Sequence, residues 1–199
     1  MRMTAMNRVA GALAGLAILL VAACETAPKG PTYPDIRFTD AAPIAFQAGS
    51  LDVTATWQSP LREPNVEHRF PVSIEQTARN WANDRLKAAG GAASMRYTVI
   101  EASAIEEDLK KTTGIKGAFT TDQTERYTAK ITVKLEVFNN ATGATGEATV
   151  TVQRHQTVGE NYTVNQRNQI WYDLTRDLAK DLDAKMEAEI RKNLGLFLL

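Results

Sequence analysis

The sequence predicts an α+β fold: a single, largely antiparallel four-stranded sheet with two helices packed on one face, in the order β-α-β-β-β-α. Two observations predict it. Residues 127–137 alternate strictly between apolar and polar side chains, which is the period of a strand that buries one face. Ser73 with Gln76, and Thr163 with Gln166, have the spacing of a helix-capping box, and an apolar stripe at helical spacing follows each pair. A sheet with one apolar face needs a layer of helices on that face, and the two amphipathic segments supply it.

The first half of the domain is predicted as strand, loop and helix. Residues 51–57, LDVTATW, alternate cleanly and predict the first strand. Three prolines interrupt residues 58–72, which are therefore predicted as a loop. The first helix is predicted over residues 73–89, and Gly90 and Gly91 are predicted to end it.

The second half is predicted as three strands and a long helix. The second strand is predicted over residues 95–105 and the third over residues 127–137, and the fourth begins near Ala148 after the turn NNATGATG. The last helix is predicted to run from its capping box to Gly195. The polar face of this sheet, which includes His155, is expected to be either solvated or a docking surface.

The N-terminal residues have the three parts of a secretory signal. Arg2 and Arg8 form a positive head, and residues 9–23 form an apolar run shorter than the roughly 20 residues that a bilayer span needs. The run ends in VAAC, residues 21–24, which resembles the bacterial lipobox. The resemblance implies that the signal is cut before Cys24, that its thiol takes a diacylglycerol and that its amino group is acylated. The alternatives are a plain signal, an uncleaved anchor or a small buried cysteine, and none explains why the one cysteine stands at this boundary.

This interpretation divides the chain into three parts. Residues 1–23 are the signal peptide, residues 24–50 are the lipidated cysteine with a proline-rich spacer, and residues 51–199 are one periplasmic α+β domain. Residue 25 is Glu and not the Asp that resembles an inner-membrane retention signal in enterobacterial lipoproteins. We therefore expect a protein in the cell envelope, anchored in the outer membrane and facing the periplasm.

The charge balance argues against a nucleic-acid partner. The chain has 23 basic and 23 acidic side chains, and removal of the signal with Arg2 and Arg8 leaves 21 basic against 23 acidic. A nucleic-acid-binding domain would show a basic excess or a basic stripe. The expected partners are instead a membrane, through the anchor on Cys24, and an envelope protein.

The motifs of common enzymes and metal centres do not occur in the sequence. His68 and His155 are the only histidines, and they lack the tight spacing of zinc ligands. The carboxylates of residues 106–108 could do acid–base chemistry, but Lys110 and Lys111 follow at once and nothing nearby would desolvate an acid. The sequence therefore predicts a protein that is not an enzyme and has no cofactor or metal.

The order of elements behind a lipobox and a proline-rich spacer resembles two families of outer-membrane accessory lipoproteins. These are the auxiliary lipoproteins of envelope ABC transporters and the lipopolysaccharide-assembly lipoprotein. The resemblance implies an accessory or binding component of an envelope transport or assembly system. The alternative is a periplasmic domain that binds a small amphiphile, such as a lipid or glycan fragment, between sheet and helices. Partner binding predicts an exposed apolar patch, whereas amphiphile binding predicts an enclosed apolar pocket.

Four residues are candidates for partner contact. Trp57 ends the first predicted strand at the mouth of a loop, where an aromatic side chain could meet a ligand. Ile115, Lys116 and Phe119 lie in the connection of residues 109–123, which is longer than antiparallel pairing requires. The two apolar side chains of this connection either pack against the sheet edge or contact a partner or an anionic lipid surface.

Overall fold

The computed structural model of the chain describes residues 31–109 and 123–199. In these ranges the order of elements is β1 (Ile44–Ala55), a 3-10 turn (Glu67–Arg69), α1 (Ile74–Arg85), β2 (Leu86–Asp108), β3 (Gln123–Asn139), β4 (Thr145–Gly159), α2 (Val164–Asn193) and a final 3-10 turn (Gly195–Phe197). The four strands form one sheet in the order β1-β2-β3-β4.

The sheet confirms the predicted fold class. β2 pairs antiparallel with β3, and β3 pairs antiparallel with β4. β1 pairs parallel with β2, because the helix between them carries the chain back to the end of the sheet where β1 began. The buried sides of all four strands face α1 and α2, so that both helices lie on one side of the sheet.

β3, whose alternating side chains predicted the fold class, has the expected register. Its six apolar side chains on the helical side are buried: Tyr127, Ala129, Ile131, Val133, Leu135 and Val137. The alternate side chains Lys130, Thr132 and Lys134 lie on the outer face and are half-buried rather than fully exposed. Cross-strand neighbours cover them in part, since Lys130 Nζ lies 2.8 Å from Glu101 and Lys134 Nζ lies 2.9 Å from Glu136. This is the ordinary crowding of long side chains on a sheet.

The first strand begins at Ile44, seven residues before its predicted start at Leu51. Ile44, Phe46 and Ala48 face the core and are buried, so that the predicted boundary at residue 51 falls inside β1. The residues before the strand also pack on the domain. Ile36 is buried, and the backbone N–H of Phe38 donates to Asp84 of α1. From Thr32 onward, the segment predicted as spacer is part of the compact unit of residues 32–199.

The first helix is shorter than predicted. α1 ends at Arg85, and Leu86 already pairs with Ile44 in the sheet, so the predicted helical end at residue 89 and the predicted strand start at residue 95 are both wrong. Gly90 and Gly91 do not end a helix but sit in an irregularity of the β1–β2 register. Gly91 has φ +127°, and a Cβ there would lie 2.5 Å from the carbonyl oxygen of Gln47. Only glycine allows this close approach of two strands.

Both helices begin at the predicted caps. Thr163 and Gln166 form a complete capping box at the start of α2. Ser73 accepts from the N–H of Gln76 at the start of α1, but the Gln76 side chain donates to Asn80 instead of reaching back to the cap. The apolar stripe of α2 is buried as predicted: Trp171, Leu174, Leu178, Leu182, Met186 and Ile190.

A buried guanidinium joins the two helices to the segment before β1. Arg85 Nε donates to Asp183 Oδ1 at 2.8 Å, and Arg85 Nη2 donates to Glu187 Oε2 at 2.5 Å. Arg85 Nη1 donates to the carbonyl of Ala42. Trp81 Nε1 donates to the same oxygen of Asp183 at 2.8 Å. The pKa of Glu187 lies below its ordinary value, first because Arg191 donates a hydrogen bond to it and further because Arg85 is near. This cluster fixes α1 against α2, and the sequence analysis did not identify it.

Within residues 31–109 and 123–199, no helix has the length and apolar character of a membrane span. α2 is the longest helix of these ranges, with 30 residues, and polar side chains run along its exposed side.

Candidate docking surface

The outer face of the sheet is built from the alternate side chains of four strands. Threonines of β3 and β4 meet across the face, with Thr132 Oγ1 3.0 Å from Thr151 Oγ1. Lys134 Nζ lies between Glu136 and Glu147, at 2.9 and 3.1 Å, and the hydrogen bonds with these two carboxylates raise the pKa of Lys134. The face is therefore polar and mixed in charge, as the sequence predicted.

One end of this face is concave. The concavity has a volume of about 740 Å³ and lies where the β3–β4 hairpin turns. Its outward-facing lining comes from every strand of the sheet: Ser50, Asp52, Ser94, Arg96, Glu136, Phe138, Thr145 and Glu147. Because all four strands contribute, the shape of this surface depends on the whole sheet and not on one loop.

Phe138 is the apolar feature of the concavity. Its side chain is 45% exposed, and it is the penultimate residue of β3. An ion pair between Asp52 and Arg96, 3.8 Å apart and exposed, borders the concavity on the side of β1. An exposed aromatic ring surrounded by charged and hydroxyl side chains is the arrangement of a contact surface with an apolar centre and a polar rim. Phe138 was not among the predicted contact residues, and its position after the last buried valine of β3 was the available signal in the sequence.

Trp57 lies elsewhere, on the helical side of the sheet. It is half-buried and lines a cleft of about 170 Å³ with Glu67, His68, Phe70 and the start of α1. Its indole Nε1 is buried without a hydrogen-bond partner. Ligand pockets for small molecules have roughly 300–1,000 Å³, so this cleft is small. The contact predicted for Trp57 stays a prediction.

Glu67 is a buried carboxylate that the sequence analysis missed. It accepts from Ser59 Oγ at 2.5 Å, from the backbone N–H of Ala104 at 3.1 Å and from Asn65 Nδ2 at 3.4 Å. These three donors hold the proline-rich loop of residues 58–72 against β2. All three donors belong to the loop or to β2, so the role of Glu67 is to hold the loop in place.

Glu106, the first residue of the acidic cluster of residues 106–108, is part of a second network. The hydroxyl of Tyr127 donates its one proton to Glu125 at 2.5 Å and lies 3.1 Å from Glu106, and Arg167 of α2 lies 3.1 Å from Glu125. Burial, and next the hydrogen bond to Glu125, raise the pKa of Tyr127. The network ties the ends of β2 and β3 to α2. Among the residues that the structure describes, no group of three His, Cys, Asp or Glu side chains could hold a metal ion.

The interior between sheet and helices is filled with side chains. Trp81 stacks on Tyr97 at 5.6 Å, and Trp171 stacks on Phe70 at 5.0 Å and meets the edge of Tyr127 at 5.3 Å. The two tryptophans belong to the apolar stripes of α1 and α2, and both are buried. A domain that binds an amphiphile would have its pocket in this layer, between the sheet and the helices. In this chain the aromatic rings named above lie there.

The remaining candidate residues are outside the described ranges. Cys24, with the predicted lipid attachment, precedes residue 31, and Ile115, Lys116 and Phe119 lie between residues 109 and 123. Trp57 and the concavity are on opposite faces of the sheet, so the described candidates do not form one site. His155 is exposed on β4, as expected of a solvated strand residue.

Solved structures similar to this chain include three bacterial proteins. A minor lipoprotein from Acinetobacter baumannii is 14% identical with a TM-score of 0.38, over 76% of this chain and 96% of that one. The rare lipoprotein B from Shewanella oneidensis is 10% identical with a TM-score of 0.40, over 74% and 98%. A Xanthomonas campestris protein of the DUF330 family is 10% identical with a TM-score of 0.34, over 81% and 88%. No family model and no curated protein matches the chain.

Two of these three similar structures are lipoproteins by name.

Proposed function

We propose that this chain is a lipid-anchored protein of the bacterial envelope that acts by binding, as an accessory component of a transport or assembly system. Residues 1–23 direct export, Cys24 carries the lipid, and the α+β domain faces the periplasm from the outer membrane. The lipobox-like VAAC and the residue Glu25 support the anchor and its membrane. The domain contributes a recognition surface and not a catalytic one.

The observation that carries the proposal is the uncovered face of the sheet. Both helices pack on one side, and the other side presents a concavity to which all four strands contribute, with Phe138 exposed in its lining. A partner that paired with an edge strand would bind its backbone. This surface instead offers charged, hydroxyl and aromatic side chains to a partner. We place the partner on this face. A contact of Trp57 is proposed as separate from this face, because Trp57 lies on the helical side of the sheet, and a contact of the connection with Ile115, Lys116 and Phe119 is proposed beside it.

Photo-crosslinking in living cells tests this placement by comparing the two faces of the domain. A photoreactive amino acid at Phe138 or Thr149, both exposed on the outer face, is expected to give a discrete protein adduct. The same amino acid at Lys180 or Ala184, exposed on α2, is the matched control and is expected to give none. Phe138→Glu should abolish the adduct formed at Thr149. The substitution should change the free energy of unfolding by about 0.5 kcal/mol or less, because the site is on the surface. Adducts on α2 alone, or on both faces equally, would contradict the placement.

A further inference from the structure

The start of the domain lies beside the first turns of α2. The ring of Tyr33 packs on Tyr172 at a centroid distance of 5.3 Å, and its hydroxyl donates to the carbonyl of Asn165 at 3.4 Å. From there the chain runs along the helices toward the other end of α2, where Ala42 accepts from Arg85. The chain therefore enters the domain at the N-terminal end of α2.

The length of chain before this point limits where a bilayer can lie. Eight residues, 24–31, connect the proposed lipid site to Thr32, and even a fully extended chain of that length spans at most about 29 Å. α2 has 30 residues and is about 45 Å long. Its C-terminal end packs near the β3–β4 hairpin, since a Cβ on Gly146 would lie 2.6 Å from the side chain of Leu194. The short tether favours the N-terminal end of α2 as the end nearest to the membrane.

Two apolar side chains are exposed at that same end. Tyr162 is 40% exposed and Val164 is 76% exposed, on either side of the capping residue Thr163 in the connection from β4 to α2. The polar residues beside them, Asn161 and Asn165, carry no charge. A tyrosine with an apolar body and a polar tip suits the boundary between headgroups and acyl chains.

We propose that the β4–α2 turn, with Tyr162 and Val164, rests in the headgroup region of the bilayer that holds the lipid on Cys24. The inference depends on the proposed anchor and adds an orientation to it. α2 then starts at the membrane, and the concavity with Phe138 is held at the opposite end of the domain, away from the lipid surface. The contact is aromatic and apolar, so it does not require anionic lipid.

Fluorescence quenching in vesicles tests this orientation. The full lipid-anchored chain is extracted from membranes and reconstituted in phosphatidylethanolamine–phosphatidylglycerol vesicles that contain a headgroup nitroxide lipid. The natural sequence has one cysteine, whose thiol is blocked once it is lipidated, so an introduced cysteine takes an environment-sensitive dye alone. Val164→Cys reports the proposed contact, and Leu196→Cys, at a residue that is 93% exposed at the far end of α2, is the matched control.

The expected result is a blue shift and several-fold stronger quenching at position 164 than at position 196, retained in high salt and in vesicles of zwitterionic lipid alone. Equal quenching at the two positions, or stronger quenching at position 196, would overturn the orientation. A blue shift at position 164 without nitroxide quenching would mean that a second protein copy covers the turn, and would also overturn it. A chain that does not float with the vesicles at all would overturn the anchor itself, which distinguishes failure of the proposed function from failure of this inference.

Discussion

Replacement of Asp183 by alanine is expected to lower the free energy of unfolding by about 2–4 kcal/mol. One oxygen of this carboxylate accepts from two buried donors, Trp81 Nε1 and Arg85 Nε, both at 2.8 Å. Without it, both donors lose their partner, and each buried donor left unsatisfied costs about 1–3 kcal/mol. The remaining bonds of Arg85, to Glu187 and to Ala42, keep the loss below that of a fully unpaired buried charge.

Asp181 provides the matched control, two residues earlier on α2. Its carboxylate pairs with Arg154 of β4 at 2.6 Å, and the side chains of Arg154 and Asp181 are 45% and 32% exposed. The hydrogen bond from Arg154 lowers the pKa of Asp181, but exposed ion pairs contribute only about 0–1 kcal/mol. Urea unfolding of both alanine variants checks the prediction. Equal destabilisation by the two substitutions would show that the Arg85 cluster does not fix the helices.

Replacement of Leu135 by alanine is expected to cost about 2–5 kcal/mol. The side chain is fully buried between the sheet and the helices, and its removal leaves a cavity in the core. Thr132→Ala, three residues away on the outer face of the same strand, should cost little, because it loses only one exposed hydrogen bond to Thr151. Melting temperatures of the two variants compare the faces of β3. A similar loss in both would mean that the register of β3 is wrong.

The parts of the fold that were predictable are those whose local pattern agrees with the tertiary structure. β3 alternates over its whole core segment, and both predicted helices begin at side chains that cap them. The same logic fails between residues 86 and 94. Leu86 and Ala89 continue the helical spacing of α1, and residues 86–89, LKAA, are good helix formers. The pairing of Leu86 with Ile44 overrides that local preference. A local sequence pattern does not contain this pairing, because the two residues are far apart along the chain.

The docking surface was predictable in kind but not in shape. Polar alternation showed that one face of the sheet is polar, whereas the concavity needs the lateral register that brings Ser50 beside Ser94 and Ser94 beside Phe138. Arg85 and Glu67 looked like ordinary charged residues of a helix and a loop. Their burial follows from partners about 100 and 37 residues away along the chain, and no local signal indicates such distant pairs.

In the proposed function, a lipid on Cys24 holds this domain in the envelope. Intact mass measurement of the chain extracted from membranes tests it most directly. The predicted result is a mature chain that begins at Cys24 and carries a diacylglyceryl group and an N-acyl chain. A single acyl chain would hold it only marginally. Cys24→Ala should abolish both labelling by palmitate and recovery in the membrane fraction. A natural chain with a free thiol on Cys24, or a Cys24→Ala chain that is still labelled and still in the membrane, would contradict the account.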